Sequence, residues 1–305
     1  MSFEPLIEKI REKNNPTVMG LDPVLDYIPQ YIRDKAVSEY GDTFKAAGEA
    51  IFEFNKGLID AAAELVPAVK PQSAFYEMYG IEGLIALERT IEYAKAAGLY
   101  IILDVKRNDI GSTAEAYAKA FIGETQLFNS SAKATPVDCV TVNPYLGIDG
   151  VKPFIDIAAE NDKSMFILVK TSNKSSGDFQ DLEIGDGTLY RKVGAKVEEW
   201  GAPYVSESGY SPCGAVVGAT YPKQLTELRA AMPHTFFLIP GYGAQGGGAS
   251  DVAASFDKNG GGAIVNSSRA LMCAYKGKGD DDNYAKYTRE AVIEMRDALN
   301  SVRGK

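Results

Sequence analysis

Ile101-Ile102-Leu103-Asp104-Val105-Lys106-Arg107-Asn108-Asp109-Ile110 is the stretch that decides the fold. It starts as an apolar, β-branched run with no polar alternation, the pattern of a strand buried on both faces, and it ends abruptly in charge. Side chains on a strand alternate with period two, so Asp104 and Lys106 are expected on one face. Asp109 lies past the strand end and is free to approach from another direction. A lysine held between two carboxylates at the mouth of a buried strand is a proton donor kept charged. Such a group can run chemistry without a metal, a histidine or a cofactor.

Runs of the same kind recur on both sides of this one. Thr17–Leu21, Ala68–Lys70, Tyr100–Val105, Cys139–Val142, Met165–Val169, Ala215–Val217, Phe236–Ile239 and Ala263–Val265 make eight expected strands. Helical patterning fills the gaps at Asp42–Leu65, Gly83–Ala97, Thr113–Phe128, Gly150–Glu160, Leu189–Trp200, Pro222–Ala231 and Ala249–Lys258. In the first of these, Phe44, Ile51, Phe54, Leu58 and Ile59 form one stripe. Gly98 and Gly260 stand where helix C-caps are expected. Eight strand–helix units predict an α/β fold, a closed (β/α)8 TIM barrel. An open doubly wound sheet would want a glycine-rich turn after an early strand, and Gly20-Leu21-Asp22-Pro23 is not one. Thr171–Pro212 predicts a long loop after strand five, polar enough to be a mobile lid, and Tyr284–Val302 a C-terminal helix. No linker divides the chain, so residues 1–305 are expected to form a single domain.

Composition removes several classes of function. With 45% hydrophobic and 24% charged residues the chain has a globular profile, and a net charge of −9 argues against nucleic acid as a partner. Cys139, Cys213 and Cys273 form no CxxC pair and are expected as free, buried thiols. Without an apolar leader or a membrane-length apolar stretch, the expected location is cytoplasmic, with no membrane partner. His234 is the only histidine and sits in a turn, so histidine catalysis and histidine-ligated metal have almost nothing to use. No metal site and no cofactor are expected.

Barrel enzymes carry their active sites at the C-terminal ends of the strands. Those ends here are Asp22-Pro23, Lys70-Pro71-Gln72, the Asp104–Asp109 group, Lys170-Thr171-Ser172-Asn173, Pro240–Gly248 and Asn266-Ser267-Ser268-Arg269. Any one could be a turn residue or a lysine reaching for water. Together, two lysines and three acids at the ends of the first three strands gather on one rim. The five glycines of Pro240–Gly248 let backbone amides approach an anion, and Arg269 adds a guanidinium fork, which points to phosphate.

The run Asp104-Val105-Lys106-Arg107-Asn108-Asp109-Ile110-Gly111-Ser112-Thr113 resembles the signature of the orotidine 5′-phosphate decarboxylase family. The resemblance extends from Gly20-Leu21-Asp22-Pro23 through Pro240-Gly241-Tyr242-Gly243-Ala244-Gln245 to Ser268-Arg269. Length and the Lys70–Glu77 segment are similar to the longer, second bacterial subfamily. The resemblance implies that Lys70, Asp104, Lys106 and Asp109 form an alternating array, with Lys106 protonating C6 of the pyrimidine of orotidine 5′-phosphate. It implies that Asp104 sits against the substrate carboxylate and that Lys70 binds ribose and orients Asp104. Asp109, Ile110 and Thr113 would reach the neighbouring subunit's site, which implies a homodimer. Asp22 would bind a ribose hydroxyl, Thr171 and Ser172 the base, and Gln245 would bridge base and phosphate. Pro240, Gly246, Ser268 and Arg269 would complete the substrate contacts.

Three rivals remain at this point. A metal-dependent phosphosugar barrel, similar to hexulose-phosphate synthase, would want an acid near strand two, where this chain has Lys70. A Schiff-base aldolase would use Lys70 or Lys170. A non-catalytic nucleotide-binding barrel would have no use for a lysine between two acids.

Overall fold

The computed structural model describes residues 3–243 and 246–304. Eight parallel strands close a barrel in chain order: β1 Thr17–Leu21, β2 Ala68–Pro71, β3 Tyr100–Arg107, β4 Cys139–Val142, β5 Ser164–Lys170, β6 Cys213–Val217, β7 Phe237–Ile239 and β8 Ala263–Ser267. Closure comes from β1 pairing with β8, Thr17 opposite Val265, and with β2, Gly20 opposite Lys70. The fold is the TIM barrel that the apolar strand runs predict, with every expected strand in place.

Around it lie α1 Glu4–Lys13, α2 Gln30–Tyr40, α3 Phe44–Ala62, α4 Ala74–Glu77, α5 Gly80–Ala96, α6 Gly111–Ile122, α7 Ile148–Asn161, α8 Leu189–Gly201, α9 Pro222–Ala231, α10 Ala249–Val252, α11 Arg269–Met272 and α12 Tyr284–Val302. Ile51, Phe54, Leu58 and Ile59 of α3 are fully buried, as their stripe predicts. Phe44 is not part of it. It opens the helix directly after the N-cap Thr43, whose hydroxyl accepts from Ala46 N–H, and it faces solvent. Gly98 takes a left-handed φ of 78° just past α5, a conformation that costs a residue without Cβ little.

Other expectations need correcting. The helix expected over Thr113–Phe128 ends at Ile122, because Gly123 turns extended; a small ribbon pairing Thr125–Gln126 with Ser131–Ala132 follows. The helix expected over Ala249–Lys258 breaks after Val252 into a short 3-10 turn, Ala253–Ser255. Within Thr171–Pro212 the helix expected over Leu189–Trp200 is in place as α8, and the segment before it holds a 3-10 turn at Lys174–Asp178 and a ribbon of Glu183–Ile184 with Gly187–Thr188. The long connection after β5 is therefore residues 171–188.

The site is placed by what closes the other end. Inside the barrel, Val18, Ala68, Ile102, Phe166, Phe236, Leu238 and Ile264 pack as one cluster, and Phe3, just before α1, with Leu6 and Ile10 of α1 joins it from below. The Phe3 ring lies 4.9 Å from Phe166 and 5.0 Å from Phe236. Each such buried side chain stabilises by roughly 1.5–3 kcal/mol, enough to keep this plug seated. Among the described residues this cluster fills the N-terminal end of the barrel, and the pocket opens at the C-terminal rim. Tyr210 belongs to the floor, edge-on to Phe236 at 5.4 Å. His234 precedes β7 at the same end, its Nδ1 2.9 Å from the Gly209 carbonyl. Among the described residues no helix is long and apolar enough to cross a membrane.

Candidate active site

Asp104 is the centre of the rim. It is buried, and its two oxygens accept three hydrogen bonds: from Lys70 Nζ at 3.0 Å on Oδ2, and from Lys106 Nζ at 2.6 Å and Thr141 Oγ1 at 2.8 Å on Oδ1. Lys70, buried at the end of β2, also lies 4.0 Å from Asp22 Oδ1 at the end of β1. Register explains the meeting. Gly20 pairs with Lys70 and Gln72 bridges to Asp104, so three successive strand ends stand level.

The electrostatics follow from burial and pairing. Burial alone would raise the Asp104 pKa, yet Lys70 and Lys106 together hold its carboxyl well below the usual carboxylate range. Burial alone would lower the Lys70 pKa, but Asp104 and Asp22 outweigh it and raise it above the ordinary lysine value. Both groups are therefore charged at neutral pH. The Lys106 side chain is 44% exposed and extends into the pocket.

Asp104 and Lys106 do share a face, but not through a regular strand. The β3–β4 register jumps from Leu103 opposite Val140 to Arg107 opposite Val142, so the chain bulges where the two residues sit. Lys106 itself has φ 46°, a left-handed conformation costing roughly 1–3 kcal/mol for a residue with a side chain.

An open pocket of about 880 Å³ lies above the array. It brings together Asp22, Lys70, Asp104, Lys106, Thr171, Ser172, Pro240, Ser268 and Arg269 of the expected residues. Its apolar base is Leu168, Val216 and Leu238. Arg269 opens α11 directly after Ser268, at the side of the pocket formed by Pro240, Gly241 and Tyr242. The glycine loop is less open than its composition suggests. Gly243 N–H donates to Gly247 O, Gly246 N–H to Gly243 O, Gly247 N–H to Gly241 O and Gly248 N–H to the Asp251 carboxylate. Those four amides are engaged inside the loop, and Gly246 does not line the pocket. Gln245 lies outside the described residues.

Asp109, Ile110 and Thr113 do not enter this pocket. Asp109 Oδ1 accepts the Ile110 N–H at 2.8 Å, and Ile110 and Thr113 are exposed. Within one chain Lys106 therefore meets Asp104 and not Asp109. Lys170 differs from its strand-end appearance. It is fully buried, bonded to Asp181 at 2.8 Å and Ser176 at 3.1 Å, with its ammonium 4.4 Å from the Tyr221 ring. It anchors the 171–188 connection rather than facing a substrate. Asn143 is engaged in a turn, its Oδ1 accepting from Tyr145 N–H. Gln72 and Tyr242, which stood only within the strand-end runs, line the pocket, and so do Thr141 and Phe75, which sequence reasoning missed. Thr141 left a signal as the one polar residue in the buried run Cys139-Val140-Thr141-Val142.

Comparison with known proteins agrees with this geometry. The family model described as "Orotidine 5'-phosphate decarboxylase / HUMPS family" matches residues 52–280. A Rhodopirellula baltica protein named orotidine 5′-phosphate decarboxylase is 45% identical over 288 residues, 93% of each chain. The chain belongs to the orotidine 5′-phosphate decarboxylase family. A relative of the same name from Caldicellulosiruptor bescii is 42% identical and covers 97% of both chains. Among solved structures, the OMP decarboxylase of Leishmania donovani aligns with a TM-score of 0.72 at 33% identity, covering 98% of this chain and 100% of that one. The family model spans two groups of enzymes; the relatives named here, matched over nearly their whole length, carry the decarboxylase name.

Proposed function

We propose that this protein converts orotidine 5′-phosphate to UMP and CO2 without a cofactor, in pyrimidine nucleotide synthesis. The observation that carries the proposal is the Lys70–Asp104–Lys106 array, with Arg269 in the same pocket. The bond from C6 to the carboxylate breaks, CO2 leaves and the electron pair stays on C6. Lys106 Nζ then gives that carbon a proton and is reprotonated from solvent. A ring carbanion with no conjugated sink needs electrostatic stabilisation, and the fixed charges of the array supply it. Asp104 faces the substrate carboxylate and adds repulsion that is relieved as CO2 departs. Lys70 holds Asp104 and the ribose, Asp22 takes a ribose hydroxyl, and Thr171, Ser172 and Gln245 contact the base. Pro240, Ser268 and Arg269 receive the phosphate side, where binding energy fixes the ring over the array.

Asp109, Ile110 and Thr113 complete the site of a second copy in a homodimer. Support comes from their position beside exposed apolar residues on adjoining strand ends: Met78 and Ile81 beyond β2, Ile110 beyond β3, Tyr145 and Leu146 beyond β4. Such a patch is the kind that an interface covers.

The test is to mix the protein with orotidine 5′-phosphate and EDTA and follow the ultraviolet change to UMP. Turnover is expected. A well-folded protein giving no UMP refutes the proposal, and turnover abolished by EDTA favours the metal-dependent barrel.

A further inference from the structure

We propose that Thr141 is a positioning residue for the decarboxylation, its hydroxyl on β4 holding both the Asp104 carboxylate and the Lys106 backbone in their reactive geometry. The inference rests on the reading of the pocket as a decarboxylase site.

The register jump between β3 and β4 takes the Lys106 N–H out of the regular ladder. Thr141 Oγ1 accepts that N–H at 2.8 Å. A hydroxyl has a single hydrogen, and here its direction is fixed: Asp104 is held ionised and can only accept, so Thr141 donates to Asp104 Oδ1, also at 2.8 Å. The same Oδ1 takes the Lys106 ammonium at 2.6 Å. One side chain thus fixes the oxygen against which Lys106 leans and the backbone from which Lys106 projects. Thr141 is 1% exposed and sits on a strand, so its position is set by the barrel. Lys106 has φ 46°, a conformation that persists only where surroundings enforce it. The Thr141–Lys106 bond is one such constraint.

Valine at position 141 keeps the branched shape and removes both bonds. It leaves the Lys106 N–H without its acceptor and Asp104 free to turn. Thr141→Val and Thr141→Ser in the full chain, with steady-state kinetics on orotidine 5′-phosphate, test the proposal. Thr141→Val is expected to lower kcat about ten- to a hundredfold, the scale of misplacement by about an ångström, with KM changed by less than about threefold. Thr141→Ser is expected to restore most of kcat. In a crystal structure of Thr141→Val, Lys106 should leave the left-handed region or its ammonium should lie beyond about 3.5 Å from Asp104. Should the valine variant not fold, Thr141→Ala takes its place.

A kcat for Thr141→Val within about twofold of wild type overturns the proposal. So does a loss that serine fails to restore and that tracks a fall in thermal stability, which is a structural role only. If the wild-type protein does not turn over orotidine 5′-phosphate, the decarboxylase reading fails separately. The crystal structure then decides the positioning claim, and an unmoved Lys106 and Asp104 overturns it.

Discussion

Replacing Asp104 by alanine should cost stability as well as activity, and the structure says how much. Asp104 is the direct partner of Lys70, a lysine that is only 4% exposed. Removing one partner of a buried pair costs about 3–5 kcal/mol, because the other charge is left uncompensated. Asp22 remains 4.0 Å from Lys70 and softens the loss, which places Asp104→Ala near the lower end, at about 3 kcal/mol. The Lys106 bond adds little, since that side chain is 44% exposed and its charge is screened. Removing both buried charges, as in Asp104→Leu with Lys70→Met, should return stability to within about 1 kcal/mol of wild type, giving a coupling energy of at least about 2 kcal/mol. Urea denaturation at pH 7 measures wild type, Asp104→Ala, the singles Asp104→Leu and Lys70→Met and their combination, the leucine single closing the cycle, and m should stay near its wild-type value. A single variant that loses less than about 1 kcal/mol, or a double variant as unstable as the summed singles, refutes the claim that Lys70 depends on Asp104.

Further predictions follow from the same geometry. Stability should depend on pH through the same pair. Asp104 has a depressed folded pKa, so its contribution is present above the unfolded carboxylate value of about 3.9 and is lost as pH falls through the folded value. Lys70 has a raised folded pKa, so its contribution is full below about 10.4 and is lost as pH rises through the folded value. Thermal denaturation across pH should show both limbs in wild type and lose them in the Asp104→Leu, Lys70→Met double variant. Arg269→Ala should raise KM about ten- to a hundredfold, the worth of a charge-assisted hydrogen bond, with a smaller change in kcat; an unchanged KM in steady-state assays removes Arg269 from substrate binding. Mixing inactive Lys106→Ala and Asp109→Ala chains after joint refolding should restore about one quarter of wild-type turnover, because half of the dimers carry one intact site. No recovery, in a mixture that sedimentation shows to be dimeric, contradicts the shared site.

The barrel was legible because parallel strands are apolar on both faces, and β1, β4 and α9 begin and end where the residue pattern places them. α1 and α2 escaped notice for the opposite reason. Each carries only two buried apolar residues, Leu6 with Ile10 and Ile32 with Ala36, amid charge; α2 is only weakly periodic, and α1, though amphipathic, is a single short helix of ten residues before the first strand, so tertiary packing decides both. At the site, Lys70, Asp104 and Lys106 were readable as charges that end apolar strands. The bulge at Lys106 was not, because it exists only in the pairing with β4. Lys170 shows the limit of reading strand ends: it follows an apolar strand as Lys70 does, yet Asp181 and Tyr221 turn it into a buried anchor. Composition likewise counted the glycines after β7 but could not tell that Gly243, Gly246 and Gly247 spend their amides on carbonyls of the same loop.

Delivery of the proton to C6 by Lys106 is tested by turnover of orotidine 5′-phosphate by Lys106→Ala alongside its binding of UMP. Turnover is expected at least about a thousandfold below wild type, on the scale of losing a positioned general acid, while UMP still binds and the fold is intact. Near-normal turnover by Lys106→Ala would contradict it.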